Sequence, residues 1–265
     1  MTYLSSFDGT RLWFDVVGKD GDPILLIAGN GCDHSVWNSV LEAFAKEHQV
    51  IYYDHRGTGK SDDNFTGTWS TRDFARDAAC VVRAAGFERV HAYGHSMGGR
   101  VAQWLAIDHP EAIGALVLGA TSLGEKHGVP RPLEATRAMM SGDPAALQRM
   151  SYTDEWIEQN SELAKGGAPN PTSRESFMAH LAASTSHDTW EELPRISNPT
   201  LVLHGSDDQI TLAANAELIV DRIPGAQLLL IHGARHVYWA GFPQANDAIF
   251  AFLRETKLQA LPRAL

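Results

Sequence analysis

The chain has 265 residues, 44 % of them apolar and 20 % charged, which is enough to bury one sizeable core and too apolar to leave the chain disordered. A formal net charge of −10 sets its surface against nucleic acid and anionic membranes as partners. No apolar stretch reaches the length of a membrane span, and two cysteines, Cys32 and Cys80, are too few for a disulfide framework.

Residues 1–11 have neither a basic region nor the apolar run of a secretory leader, so a cytoplasmic location is expected. Residues 2–6 and 11–17 read as two strands joined at Asp8-Gly9, an antiparallel edge. Residues 23–28 are continuously apolar, as a strand covered on both faces requires, and end in Gly29-Asn30-Gly31. A helical pattern follows (Val36, Trp37, Val40, Leu41, Phe44). Next come a strand over 49–53 and the turn Asp54-His55-Arg56-Gly57-Thr58-Gly59-Lys60-Ser61. Ser70 with Asp73 forms a capping box, and Phe74, Ala78, Val81, Val82 and Ala85 give an apolar face that stops at Gly86. Residues 90–93 alternate as a strand, 100–108 have helical spacing, and between them lies Gly94-His95-Ser96-Met97-Gly98. Residues 115–118 read as another buried strand.

From 122 to 193 this alternation stops. Asp143 before Pro144 and Thr172 with Glu175 mark short helices with their own caps. Pro130, Pro132, Pro169, Pro171 and Pro194 punctuate the segment. Its apolar residues (Leu133, Met139, Met140, Leu147, Met150, Trp156, Phe177, Leu181 and Trp190 among them) need a surface to cover. A helical cap over 122–193 is expected, inserted in a core of residues 1–121 and 194–265. The alternation resumes with a strand at 200–203 ending in His204-Gly205-Ser206-Asp207-Asp208, a helix at 212–222, a strand at 227–231 and a helix at 243–254. Repeated strand–helix units imply right-handed crossovers and a mostly parallel sheet with helices on both faces, so the fold class is α/β. Sites in such sheets collect at the carboxyl ends of the strands, and Asn30, Ser96, Asp208 and His236 each follow a predicted strand.

Ser96, at the apex of a strand–turn–helix with glycine on either side, has the setting of a nucleophile. The turn aims the Met97 N–H at a developing oxyanion. A serine hydroxyl needs a base and a carboxylate to orient that base. Of the twelve histidines, His236 lies in a loop after the last strand, free to turn toward the serine. His91 and His204 read as strand residues, His48, His109, His127 and His187 as surface residues, and His55 and His95 as supports near strand ends. Asp207 and Asp208 both stand where the acid would come from. No His, Cys or Asp pair has metal-ligand spacing, so neither a metal nor a cofactor is expected.

These motifs together resemble the α/β-hydrolase fold, over essentially the whole length. Gly94-His95-Ser96-Met97-Gly98-Gly99 resembles its nucleophile elbow, Asp54-His55-Arg56-Gly57-Thr58-Gly59-Lys60-Ser61 its Asp-x-Arg-Gly-x-Gly-x-Ser turn, and Leu203-His204-Gly205-Ser206-Asp207-Asp208 its acid loop. The resemblance implies a Ser96, Asp208, His236 triad, the acid standing three residues after the loop glycine, and a second oxyanion amide from Asn30. Ala28 departs from the family's usual His before Gly29, Arg235 from the glycine before the catalytic His, and Leu212 from a common proline. Arg235 either meets a substrate carboxylate or faces the surface paired with an aspartate. Residues 29–37 and the elbow helix are similar to enol-lactonases and small-ester hydrolases.

The expected activity is hydrolysis of an ester or lactone of a small, largely apolar metabolite by a monomer or homodimer. The expected pocket wall comprises Cys32, Trp37, Trp156, Tyr238 and Trp239. Cofactor-free oxygenases, perhydrolases and triad-bearing ligand receptors of the same fold are the alternatives. Oxygen uptake, or ligand binding without turnover, would mark them.

Overall fold

The computed structural model describes residues 2–63, 67–160 and 172–258. Alternating and continuously apolar runs become the strands of an eight-stranded sheet. They are β1 (Thr2–Ser5), β2 (Arg11–Val17), β3 (Pro23–Ile27), β4 (Gln49–Tyr53), β5 (Val90–His95), β6 (Ile113–Gly119), β7 (Thr200–Gly205) and β8 (Gln227–Ile231). Their order is β1-β2-β4-β3-β5-β6-β7-β8; β2 pairs antiparallel with both β1 and β4, and every other pairing is parallel. The strands β3, β5, β6 and β7 lie inside this order and are buried almost throughout. Both of their faces are covered.

Among the described residues the α-helices are α1 (Asn38–Glu47), α2 (Thr71–Ala84), α3 (Met97–Asp108), α4 (Leu133–Ser141), α5 (Pro144–Ser151), α6 (Asp154–Gln159), α7 (Arg174–Thr185), α8 (Ala214–Arg222) and α9 (Gln244–Glu255). One sheet face packs against α2, α3 and α8 through Phe74, Val81, Val101, Leu105 and Ile219. The opposite face packs against α1 and α9 through Phe44, Ile249, Phe250 and Leu253. At about 25 cal/mol per Å², such burial contributes about 1.5–3 kcal/mol for each large side chain. Ser70 and Asp73 form the reciprocal capping box at the start of α2, and Asp143 caps α5 ahead of Pro144.

Several expectations are corrected. A short 3-10 turn, His34–Trp37, precedes α1, so the first helix starts later than its apolar pattern. The α3 helix starts at Met97, directly after the serine. The cap of α7 is Ser173, whose hydroxyl accepts the Ser176 N–H at 3.1 Å; Thr172 is left for another partner. Leu133 and Met140 stand exposed instead of covering the core. His48 and His187, read as surface residues, are buried: His48 bonds the Asp22 carbonyl, and His187 bonds Thr71 and Gln103. Pro169 and Pro171 lie outside the described residues. An isolated antiparallel bridge, Gly124 to Asp188, joins the chain leaving β6 to the chain returning toward β7.

Candidate active site

Ser96 has φ 58° and ψ −120°, a region that costs an L-residue of order 1–3 kcal/mol and persists only where the surroundings impose it. Here the surroundings are backbone. A Cβ on Gly94 would stand 2.2 Å from the Gly98 carbonyl oxygen, and one on Gly98 would stand 2.0 Å from that of Ile27. The glycines therefore let β5, α3 and β3 close on one another. The Ser96 N–H donates to the Gly119 carbonyl at 2.8 Å, and the Thr121 hydroxyl donates to the Ser96 carbonyl at 2.7 Å, so β6 holds the strained residue from the side.

His236, on the loop after β8, places Nε2 3.0 Å from Ser96 Oγ and Nδ1 2.7 Å from Asp208 Oδ2. A carboxylate only accepts, so Nδ1 carries the proton and the Nε2 lone pair faces the serine hydroxyl. Asp208 is buried. Its Oδ1 accepts the N–H groups of Ile210 and Thr211 at 2.8 and 2.9 Å, and His204 Nε2 lies 3.1 Å from Oδ2. Burial alone would raise this carboxyl, but His236 and His204 outweigh it and hold it well below the usual carboxylate range. Asp207 is exposed and accepts the neighbouring Ser206 hydroxyl at 2.6 Å.

The loop after β3 runs beside the serine, since a Cβ on Gly29 would lie 3.7 Å from Ser96 Oγ. Its hydrogen bonds come from several elements. His55 Nε2 donates to the Ala28 carbonyl at 3.1 Å, and the Cys32 N–H donates to the Gly29 carbonyl at 3.2 Å. The Asn30 carboxamide is enclosed, and among the described residues neither its nitrogen nor its oxygen has a hydrogen-bond partner. Burial pushes the Cys32 thiol up to about 11, with Asp33 adding to the shift, which keeps the sulfur protonated at neutral pH.

Around these groups, His95 Nε2 donates to the His236 carbonyl at 3.0 Å, and its ring sits 4.8 Å from that of His236 and 4.6 Å from that of Trp239. Burial, then the nearness of His236, pushes His95 down to about 3, so it braces the loop as a neutral ring. Arg235 is occupied, donating to the carbonyls of Arg149 and Tyr152 at 2.6 and 2.7 Å and to Asp154 at 2.9 Å. With the Val237 N–H bonded to the Ser151 carbonyl at 2.9 Å, it ties the His236 loop to the α5–α6 junction.

The residues expected in the pocket wall divide. Trp37 and Tyr238 are wholly enclosed beneath the site, Trp37 stacked 5.3 Å from Trp239 and the Tyr238 hydroxyl 2.7 Å from that of Tyr93. Trp156 stacks 4.2 Å from Tyr152 beside the His236 loop, and the Cys32 thiol reaches the Asn30 carbonyl at 3.6 Å. The Asp54 turn is architectural, with Asp54 accepting the His34 and Lys60 N–H groups and Arg56 clamped on Asp77 and Asp8. Sequence reasoning missed His180, gave Thr172 to a helix cap, and missed the contact of His204 with the acid. His180 and Thr172 act through a loop far away in sequence, whereas His204 stands only four residues before Asp208.

The profile of the alpha/beta hydrolase fold matches residues 22–239. A protein of Azorhizobium caulinodans named "Putative carbamate hydrolase RutD" is 31 % identical over 255 residues, 92 % of this chain and 95 % of the relative. A hydrolase from Pseudomonas aeruginosa PA01 superposes with a TM-score of 0.82 at 28 % identity, covering 95 % of this chain and 97 % of the other. The enol-lactonase from Burkholderia xenovorans LB400 gives 0.83 at 24 % identity over 96 % of this chain and 100 % of the other, a likeness of fold. Its profile match, its relatives and its sheet order agree, and the chain belongs to the alpha/beta hydrolase fold family.

Proposed function

We propose that the protein is a serine hydrolase that cleaves a carboxylic ester or lactone of a small, largely apolar molecule through an acyl-enzyme on Ser96. The observation that carries this reading is the unbroken line from Ser96 Oγ to His236 Nε2 (3.0 Å) and from His236 Nδ1 to Asp208 (2.7 Å) at a strained elbow. Ser96 Oγ attacks the carbonyl carbon while its proton passes to His236 Nε2. Asp208 stabilises the imidazolium so formed. The carbonyl electron pair becomes an oxyanion, received by the N–H groups of Met97 and Asn30, each contributing on the order of 3 kcal/mol. The tetrahedral species collapses as the leaving oxygen takes the proton from Nε2. Water, activated by the same nitrogen, then releases the acid and restores Ser96.

In this reading residues 122–193 act as a helical cap, and Cys32, Trp156 and Trp239 line the substrate space above the floor made by Trp37 and Tyr238. A carbamate is the second reading, supported by the name of the RutD relative. The same steps apply, with a carbamoyl group on Ser96 in place of the acyl group. A mass measurement after exposure to a fluorophosphonate tests the nucleophile without a known substrate. One adduct is expected on the wild type and none on Ser96→Ala. An adduct on the folded variant, or none on the wild type, would overturn the reading. Turnover of p-nitrophenyl esters against matched aryl carbamates then ranks the two substrate classes.

A further inference from the structure

The α7 helix meets the loop beside Ser96 through both backbone groups of one residue. The Thr172 hydroxyl, just before the helix, donates to the Gly31 carbonyl at 2.9 Å. The Gly31 N–H donates to His180 Nδ1 at 3.3 Å, across 149 positions of sequence. Phe177 closes the space between them, since a Cβ on Gly31 would fall 2.4 Å from its ring, and at φ 64° the position suits glycine. On its other side His180 Nε2 donates to the Arg56 carbonyl at 2.8 Å. These two bonds demand one neutral tautomer, with Nδ1 accepting and Nε2–H donating. Burial pushes His180 down to about 4, which keeps it in that form at neutral pH. The rings of Phe74, Trp69 and His55 surround it at 4.9, 5.7 and 5.9 Å.

Asn30 is therefore held between two anchored stretches. On one side the Ala28 and Gly29 carbonyls are bonded by His55 and by the Cys32 N–H, and on the other Gly31 is gripped by α7. With no partner for the Asn30 carboxamide among the described residues, the backbone on either side is what orients its N–H. We infer that His180, assisted by Thr172, is a positioning residue for the oxyanion hole, so that the Asn30 N–H is aimed only while α7 is docked. This rests on the reading of Asn30 as an oxyanion donor. It adds that the segment between β6 and β7 contributes to the chemical step, beyond any covering of the substrate. A donor displaced by about an ångström loses most of its effect on the transition state while leaving ground-state binding nearly intact.

The test compares His180→Asn, His180→Gln, His180→Phe and Thr172→Val with Ser96→Ala, using p-nitrophenyl acetate. The oxygen of Asn stands where Nδ1 stood and accepts from Gly31. Gln reaches Arg56 and leaves Gly31 without an acceptor. In His180→Gln, kcat is expected to fall roughly 10-fold or more, with KM within about twofold of wild type. His180→Asn should recover most of the loss, and Thr172→Val should lose about threefold in kcat. Wild-type kcat in folded His180→Gln, a change in KM alone, or His180→Asn as poor as His180→Phe would overturn the inference. Should the His180 variants all fail to fold, an unchanged kcat in Thr172→Val overturns it. Turnover retained by Ser96→Ala would overturn the nucleophile reading and this one with it. Inactive Ser96→Ala beside wild-type His180→Gln would overturn this one alone.

Discussion

Replacing Asp208 by Asn changes one heavy atom and, through the local hydrogen bonds, the protonation of the whole relay. Oδ1 accepts two backbone N–H groups, from Ile210 at 2.8 Å and Thr211 at 2.9 Å, so the oxygen of an asparagine must take that position. The NH2 group is then left where Oδ2 was, 2.7 Å from His236 Nδ1 and 3.1 Å from His204 Nε2. Two donors cannot face each other, so His236 moves its proton to Nε2, 3.0 Å from Ser96 Oγ, and can no longer accept one. A reversed tautomer of this kind costs about 10⁴ in kcat, or about 5.4 kcal/mol of transition-state stabilisation. The assay is p-nitrophenyl acetate turnover by Asp208→Asn and Asp207→Asn, both checked by circular dichroism. Asp207 is exposed and bonded to its neighbour Ser206, so its variant should stay within about twofold of wild type. Activity of folded Asp208→Asn within about tenfold of wild type, or a larger loss in Asp207→Asn, would refute the assignment.

The strain at Ser96 predicts a trade between stability and activity. Ser96→Gly should unfold at higher urea, by about 1–2 kcal/mol, while losing turnover, whereas Ser96→Ala should keep wild-type stability; equal stability of the Gly and Ala variants would remove the strain argument. Burial pushes His55 and His95 down to about 3 and His180 down to about 4. The unfolded chain protonates near pH 6.5 and the folded chain does not, so more protons bind on unfolding and stability should fall as pH drops from about 6.5 toward 4. Urea midpoints that stay flat through that window would contradict this. For Arg235, the bonds to the Arg149 and Tyr152 carbonyls are expected to matter more than the ion pair, because the Asp154 side chain is 77 % exposed. Arg235→Ala should destabilise by about 1 kcal/mol or more and Asp154→Ala by less than about half of that. The reverse order in urea unfolding would mean that the ion pair, and not the carbonyl bonds, holds the arginine in place.

Most of the sheet was legible because its information is local. A continuous apolar run marked β3, short buried stretches marked β6 and β7, an alternating stretch marked β5, and glycine-containing turns followed β3, β5 and β7. Caps formed by neighbouring residues, such as Ser70 with Asp73, were equally readable. The Gly-x-Ser-x-Gly turn and the position of His236 after β8 were visible for the same reason, whereas separating Asp208 from Asp207 took the resemblance to a family. Contacts between distant segments were not legible. His187 and His48 lack apolar neighbours in sequence and gave no hint of burial. The inward face of α7 gave no signal, because Ser176, His180 and Ser184, spaced four apart and all buried, form a polar stripe facing inward. Amphipathic reasoning assigns such a stripe to solvent. Polar groups tolerate burial only when partners arrive from elsewhere, here the Arg56 carbonyl, the Gly31 N–H and Arg100, which no local pattern encodes.

The buried histidines answer a common problem of sites built on loops. Each group around Ser96 sits at the end of a different strand, and loop backbone has no ladder to hold it. In each case an imidazole Nε2–H supplies the missing bond to a carbonyl. His55 holds Ala28, His95 holds His236, His204 holds Thr211 beside the acid, and His180 holds Arg56. A lysine or arginine would serve only by burying a charge, and a serine would be too short to cross between elements. Neutral imidazole is long, rigid and uncharged, and burial keeps His55, His95 and His180 that way at neutral pH. The same choice makes these braces vulnerable together. Below the pH at which the unfolded chain binds protons, His55, His95 and His180 each favour unfolding, so loop geometry and fold stability are expected to fail over one acid range, and activity should not outlast the folded state by a separate titration of these three.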